Sequence, residues 1–189
     1  MKIRRLLLGT MILAVMAGCV TRKGDDCSTQ DAQISVIKWL KEGGVKRIVQ
    51  QGYMETDEAR QMLERLDFSF DSVGSTKKEE DGSLVCKGKF LVQPKPDFAI
   101  DLEKAAEEQR EKGTILKNYG FKGIAERSGY LADGDNKATF MLDFTVARKN
   151  GKITAEADWE NTGYFSDFMA NIAESLTHAK RDDKTILSE

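Results

Sequence analysis

The chain has 189 residues, 40% of them hydrophobic, with 29 Lys or Arg against 31 Asp or Glu and a formal charge of −2. That length and apolar content suit one domain with a core of its own. Both signs of charge are scattered and no basic stripe follows a phosphate backbone, which argues against nucleic acid as a partner.

At the amino terminus Lys2, Arg4 and Arg5 precede an apolar stretch from Leu6 to Ala17, and Ala17-Gly18 stands directly before Cys19. This is the order of a secretory signal: charge, greasy core, small residues. About twelve apolar residues make only ~18 Å of helix against roughly 30 Å of hydrocarbon, so the segment is expected to be removed rather than to span. Its end, Met16-Ala17-Gly18-Cys19, resembles the lipobox of bacterial lipoproteins, with Met16 where Leu is commonest. The resemblance implies cleavage before Cys19, a diacylglycerol on its thiol and a third acyl chain on the freed amine. Each buried CH₂ contributes ~0.8 kcal/mol, so several chains hold a protein on a membrane. Val20 stands where an Asp would resemble an inner-membrane retention signal, which implies the outer membrane, facing the periplasm. The alternative is a chance match in an uncleaved segment.

The expected organisation is a signal peptide over 1–18, a lipidated tether over 19–27, a single α+β domain over 28–179 and a polar tail over 180–189. At about 3.3 Å per residue the tether reaches roughly 25–30 Å at most. With Cys19 lipidated, Cys27 and Cys86 remain as an even pair in an oxidising compartment, and they are read as a disulfide. Two separate buried thiols are the alternative. The bridge would close a loop of about 60 residues, for which chain entropy gives roughly 4 kcal/mol.

In the domain, Ser28 and Asp31 have the form of a helix-capping pair, and Ile34, Ile37, Trp39 and Leu40 follow at nearly helical spacing. Gly43-Gly44 interrupts the pattern, and Val45, Ile48 and Val49 extend it beyond that break. Thr56 caps a second helix in which Ala59, Met62, Leu63 and Leu66 share one face. From Phe68 the period becomes two, and a turn at Asp81-Gly82 leads to Leu84, Cys86, Gly88, Phe90 and Val92, so a hairpin is predicted. Cys86 on its second strand would clamp the start of the first helix through Cys27. Pro94 and Pro96 end the strand. Asp97 to Lys112 reads as a short helix with Phe98, Leu102 and Ala105 on one side, or else as a solvated excursion.

The second half has the stronger strand signal. A long β segment is predicted from Ile115 to Leu131, carrying Tyr119, Phe121 and Tyr130, and the turn Asp133-Gly134-Asp135-Asn136 joins it to Phe140, Leu142, Phe144 and Val146. Asn150-Gly151 predicts a tight hairpin into a strand where Ile153, Ala155, Ala157 and Trp159 alternate with polar residues, completing a meander. A last helix sets Phe165, Phe168, Met169, Ile172 and Leu176 on one stripe, expected to pack on the meander; a docking or membrane-lying helix is the alternative.

No constellation of nucleophile, base and oxyanion donor stands out, and no catalytic residue, metal ligand or cofactor site is assigned. His178 is the only histidine, expected on an exposed helical turn, so a Ser-His or Cys-His mechanism lacks a base and a zinc shell lacks ligands. Gly120, Gly123, Gly129 and Gly134 are read as strand bends and turn residues rather than a phosphate loop. The acidic pairs Asp25-Asp26, Glu79-Glu80 and Asp182-Asp183 fall in tether, turn and tail, where solvated charge is the default.

With the lipobox ahead, Cys27 at the head of a helix and Cys86 on a strand after an acidic-Gly turn, the chain resembles small periplasm-facing lipoproteins of proteobacteria. The resemblance covers roughly residues 19–92. It implies a helix against a curved antiparallel sheet, cystatin-like or NTF2-like, and names no functional residue. The expected role is a non-catalytic binding or assembly module of the cell envelope, held on the membrane through Cys19, with an envelope protein as partner. The alternative is an inhibitor or immunity-type protein against a periplasmic enzyme such as a cell-wall hydrolase, for which Ser128-Gly129-Tyr130 resembles an inhibitory loop of lysozyme inhibitors. A small-ligand carrier is a third possibility.

Overall fold

A computed structural model of the chain describes residues 26–111, 120–132, 134 and 136–186. Among these, five α-helices and five strands make an α+β unit: an open antiparallel sheet with helices over one face. The fold class is the one that the period changes predict. The signal peptide, Cys19 and the tether up to residue 25 lie outside the described residues.

A 3-10 turn, Asp26–Ser28, leads into α1 (Gln30–Gln50). Thr29 rather than Ser28 is the N-cap, its Oγ1 accepting from the Ala32 N–H at 3.3 Å. The buried stripe is Ala32, Val36, Leu40, Gly44 and Ile48. Gly43-Gly44 does not break the helix, because α5 (Trp159–Ile186) crosses there. A Cβ added to Gly44 would stand 3.1 Å from Met169 Cγ, and one on Gly43 would stand 3.2 Å from Ser166 Oγ. Close packing of the two helices offsets the roughly 1 kcal/mol that each glycine costs in a helix interior.

Next, α2 (Thr56–Glu64) starts with a capping box between Glu55 and Glu58, so Glu55 and not Thr56 is its cap. Leu66 belongs to β1 (Leu66–Lys78) rather than to this helix, yet it is buried beside Met62 and Leu63. The expected hairpin is present: β1 pairs antiparallel with β2 (Leu84–Pro94), Phe70 opposite Phe90 and Ser75 opposite Cys86. Pro96 opens α3 (Pro96–Glu111), which buries Phe98, Leu102 and Ala105 as expected. Arg65 clasps this junction, donating to Asp97 at 3.0 Å and Asp101 at 2.7 Å over the Phe98 ring.

Over the described residues 120–131, the long strand predicted from Ile115 to Leu131 is not found. Residues 112–119 lie outside the description, and Phe121–Arg127 forms a helix, α4. Only Leu131–Ala132 is strand, β3. The aromatic content suggests strand, yet Phe121, Ile124 and Ala125 stand at i, i+3 and i+4 and are all buried, so burial against α5 and the core selects the helical spacing. Gly120 and Gly123 are therefore the N-cap and interior of a helix, not strand bends. Gly129, at φ +80°, ends α4 in a Schellman motif: its N–H donates to Glu126 O and that of Tyr130 to Ala125 O.

Beyond it, β4 (Ala138–Lys149) pairs with β2 along one side, Phe144 opposite Cys86. On its other side β4 carries β3 at one end and β5 (Lys152–Ala157) at the other. Asn150 and Gly151, at φ 51° and 77°, make the tight turn between Lys149 and Lys152 as predicted. Cys86, Phe90, Val92, Leu142, Phe144 and Val146 point from the sheet into the core. The opposite face is wet, with Lys87–Asp143 and Lys89–Asp71 ion pairs at 3.4 and 3.2 Å.

The final helix is core. Phe165, Phe168, Met169 and Ile172 are fully buried, but α5 lies along α1 and α3, with the Phe165 ring against Phe68 and Phe90 of the hairpin, rather than on the meander as predicted. Its backbone continues through the expected tail as far as Ile186. Ring contacts run unbroken across the core: Phe70 to Phe90, Phe140, Tyr130, Phe168 and Phe121, with centroids 4.4–5.7 Å apart. Cys27 and Cys86 are bonded and wholly buried, pinning the head of α1 to β2.

Candidate functional site

Helix α1 has more apolar residues than one face accommodates. One stripe, from Ala32 to Ile48, is sealed in the core; Ile34, Ile37, Val45 and Val49 fall on another. Ile34 is 55% exposed and Val49 36%, while Ile37 and Val45 are half-buried against the core. With Thr56 and Arg60 of α2 as the facing wall, these four floor a groove of about 700 Å³. The sequence pattern assigns Ile34 and Ile37 to the buried face; the signal that separates them is their phase, since Leu40 and Ile48 belong to the i+4 row of Ala32 and Val36.

The rim is basic in a chain of net negative charge. Lys38, Lys41 and Lys46 from α1 and Arg60 from α2 border the groove, with Glu42 the acidic member. Lys38 stands 3.9 Å from Glu42 and Arg60 3.1 Å from Asp57, both pairs exposed and therefore weak. Lys41 sits 4.9 Å above the Phe68 ring, which holds its ammonium beside the floor. An apolar strip between cationic edges offers apolar contact along its floor and positive charge along its borders.

A second cleft of about 560 Å³ lies where α1, α4 and α5 meet, and its polar groups are engaged with one another. Arg47 pairs with Asp167 at 2.8 Å, and Arg127 reaches Asn171 at 3.3 Å and Glu174 at 3.5 Å. Burial and the neighbouring Glu174 carboxylate raise the Tyr53 pKa. Ser128-Gly129-Tyr130 borders this cleft as the stop of α4: Ser128 Oγ donates to Ile124 O and accepts from Asn171, and the Tyr130 ring is buried between Phe140 and Phe168. The tripeptide thus ends a helix, with its aromatic ring facing inward. The Tyr130 hydroxyl finds no hydrogen-bond partner among the described residues, and burial, aided by the Asp167 charge, raises its pKa.

Of the other residues singled out by sequence, Cys27 and Cys86 form the bridge already described, and Asp26 is paired with Arg148 at 2.8 Å. Glu79 lies at the β1–β2 turn. Cys19, Asp25 and the side chains of His178, Asp182 and Asp183 lie outside the description. Among the described residues no group of three His, Cys, Asp or Glu is placed to hold a metal ion, and no helix is long and apolar enough to cross a membrane. Compared with protein-family models, curated proteins and solved structures, the chain matches none.

Proposed function

We propose that this chain is a lipoprotein anchored through Cys19 on the periplasmic face of the outer membrane, acting as a non-catalytic binding or assembly module of the envelope through the α1–α2 groove. The observation that carries the reading is the second apolar stripe of α1, exposed and edged by Lys and Arg. An apolar face left in water costs about 25 cal/mol per Å², so covering it favours association, less the entropy and polar desolvation that binding costs. The charged, apolar and small-residue order before Cys19 supports the address, and the Cys27–Cys86 disulfide suits an oxidising compartment.

Proximity labelling from the full-length protein in cells tests both parts. Cys19→Ala is expected to leave the membrane fraction and lose acyl labelling. Ile34→Asp should stay on the membrane but lose specific labelled neighbours. Acylation unchanged in the first variant would defeat the anchor, and an unchanged neighbour set in the second would defeat the groove as the binding surface.

A further inference from the structure

We propose that the α1–α2 groove receives an amphipathic helix of another envelope protein, apolar on one face and acidic along its flanks; this rests on the binding-module reading above. Four observations carry it. Length is the first: Ile34 to Val49 spans about 22 Å of α1, which matches about four turns of a partner helix whose apolar residues recur at i, i+3 or i+4, i+7 and onward to about i+14.

Backbone chemistry is the second. Both walls are helices whose main-chain groups are bonded within themselves, so they offer no row of donors and acceptors to an extended peptide. A helix brings its own backbone bonds and needs only side-chain contact, whereas a strand laid on this floor would leave polar groups unpaired. The third is charge. Lys38, Lys41, Lys46 and Arg60 against Glu42 and the Asp57 paired with Arg60 leave the rim net positive, so acidic flanks are attracted and basic ones repelled.

Shape is the fourth, and it argues against a lipid occupant. The face is a recess of about 700 Å³, floored by α1 and walled at one end by Thr56 and Arg60 of α2, which the side chains of a helix can enter. A flat bilayer meets the rims without filling the recess. The exposed side of α3 carries Glu103, Glu107 and Ile100, but one large apolar residue does not match a floor of four, so α3 of a second copy fits less well.

The test is site-specific crosslinking with the lipidated, full-length protein in its own cells, placing benzoylphenylalanine at Gln50 on the groove's edge and sequencing the peptide it captures. The expected adduct lies in a segment of a different protein with helical apolar spacing and net negative charge. Lys38→Glu combined with Lys46→Glu, both exposed positions, should lower its yield at least about tenfold without changing the melting temperature. An adduct on phospholipid, an adduct on a second copy of this chain, or a charge-reversed variant that crosslinks like wild type overturns the proposal. In the last case Ile34→Asp separates the two claims: if it abolishes the adduct, the groove still binds and only the acidic character of the occupant is wrong. If it leaves the adduct intact, the binding-module reading fails as well.

Discussion

Phe168 and Tyr130 meet ring to ring, 4.4 Å between centroids, yet their side chains contribute in opposite ways. Phe168 is fully buried and apolar, packed also on Phe121, so truncation removes transfer energy and leaves a cavity. Phe168→Ala should cost about 3–5 kcal/mol. At roughly 2–4 °C per kcal/mol for a domain of this size, calorimetry would register a large drop in melting temperature. Tyr130 supplies an equally well-packed ring, but its hydroxyl is buried without a partner among the described residues. An unpaired buried hydroxyl costs about 1–3 kcal/mol, so Tyr130→Phe should leave stability equal or raise it. A clear loss in urea unfolding would mean that the hydroxyl is paired after all.

Helix pairs in this fold are set by how closely their axes approach, and the α1–α5 contact shows it. Gly44 lies against Met169 and Phe165, so a methyl there needs Met169 to give slightly, and a side chain as large as leucine must push α5 outward. Gly44→Leu should cost about 1–3 kcal/mol through overpacking, even though leucine is the better helix former. A melting temperature at or above that of wild type would show that propensity outweighs packing and that α5 can shift. The same contact explains why a glycine pair, ordinarily a place where helices stop, lies inside a 21-residue helix.

Across the whole molecule, the Cys27–Cys86 bridge fastens the beginning of the described chain to the second strand, 59 residues on. Replacing both cysteines with alanine should lower stability by up to about 4 kcal/mol on the chain-entropy account, and the unfolding slope in urea should steepen because the unfolded chain expands. A midpoint unchanged from wild type would show that the bridge is dispensable. Charge is also partitioned at this scale: the wet face of the sheet holds cross-strand pairs of both signs, while the groove on α1 and α2 gathers cations in a chain of net charge −2. That asymmetry steers an acidic partner toward one side of the protein.

The elements legible in the residues alone are those whose information is local. Asn150-Gly151 fixes its turn because both positions take positive φ, the β1–β2 hairpin follows from a two-residue period around Gly82, and α5 follows from five apolar residues on one stripe. The class of the fold follows from the same period changes, whereas the pairing of Cys27 with Cys86 follows by elimination, as the two cysteines left once Cys19 is set aside. Tertiary structure decided the rest. Phe121 to Arg127 became helix because α5 and the core were there to bury Phe121 and Ile124. The β2 strand pairs with β4, joining hairpin and meander into one sheet, through residues more than forty positions apart. Above all, α1 carries two apolar stripes of similar composition, and the sequence does not say which one faces water. That choice depends on α5 and β5, more than a hundred residues away, which cover Val36, Leu40 and Gly44 and leave Ile34 and Val49 exposed.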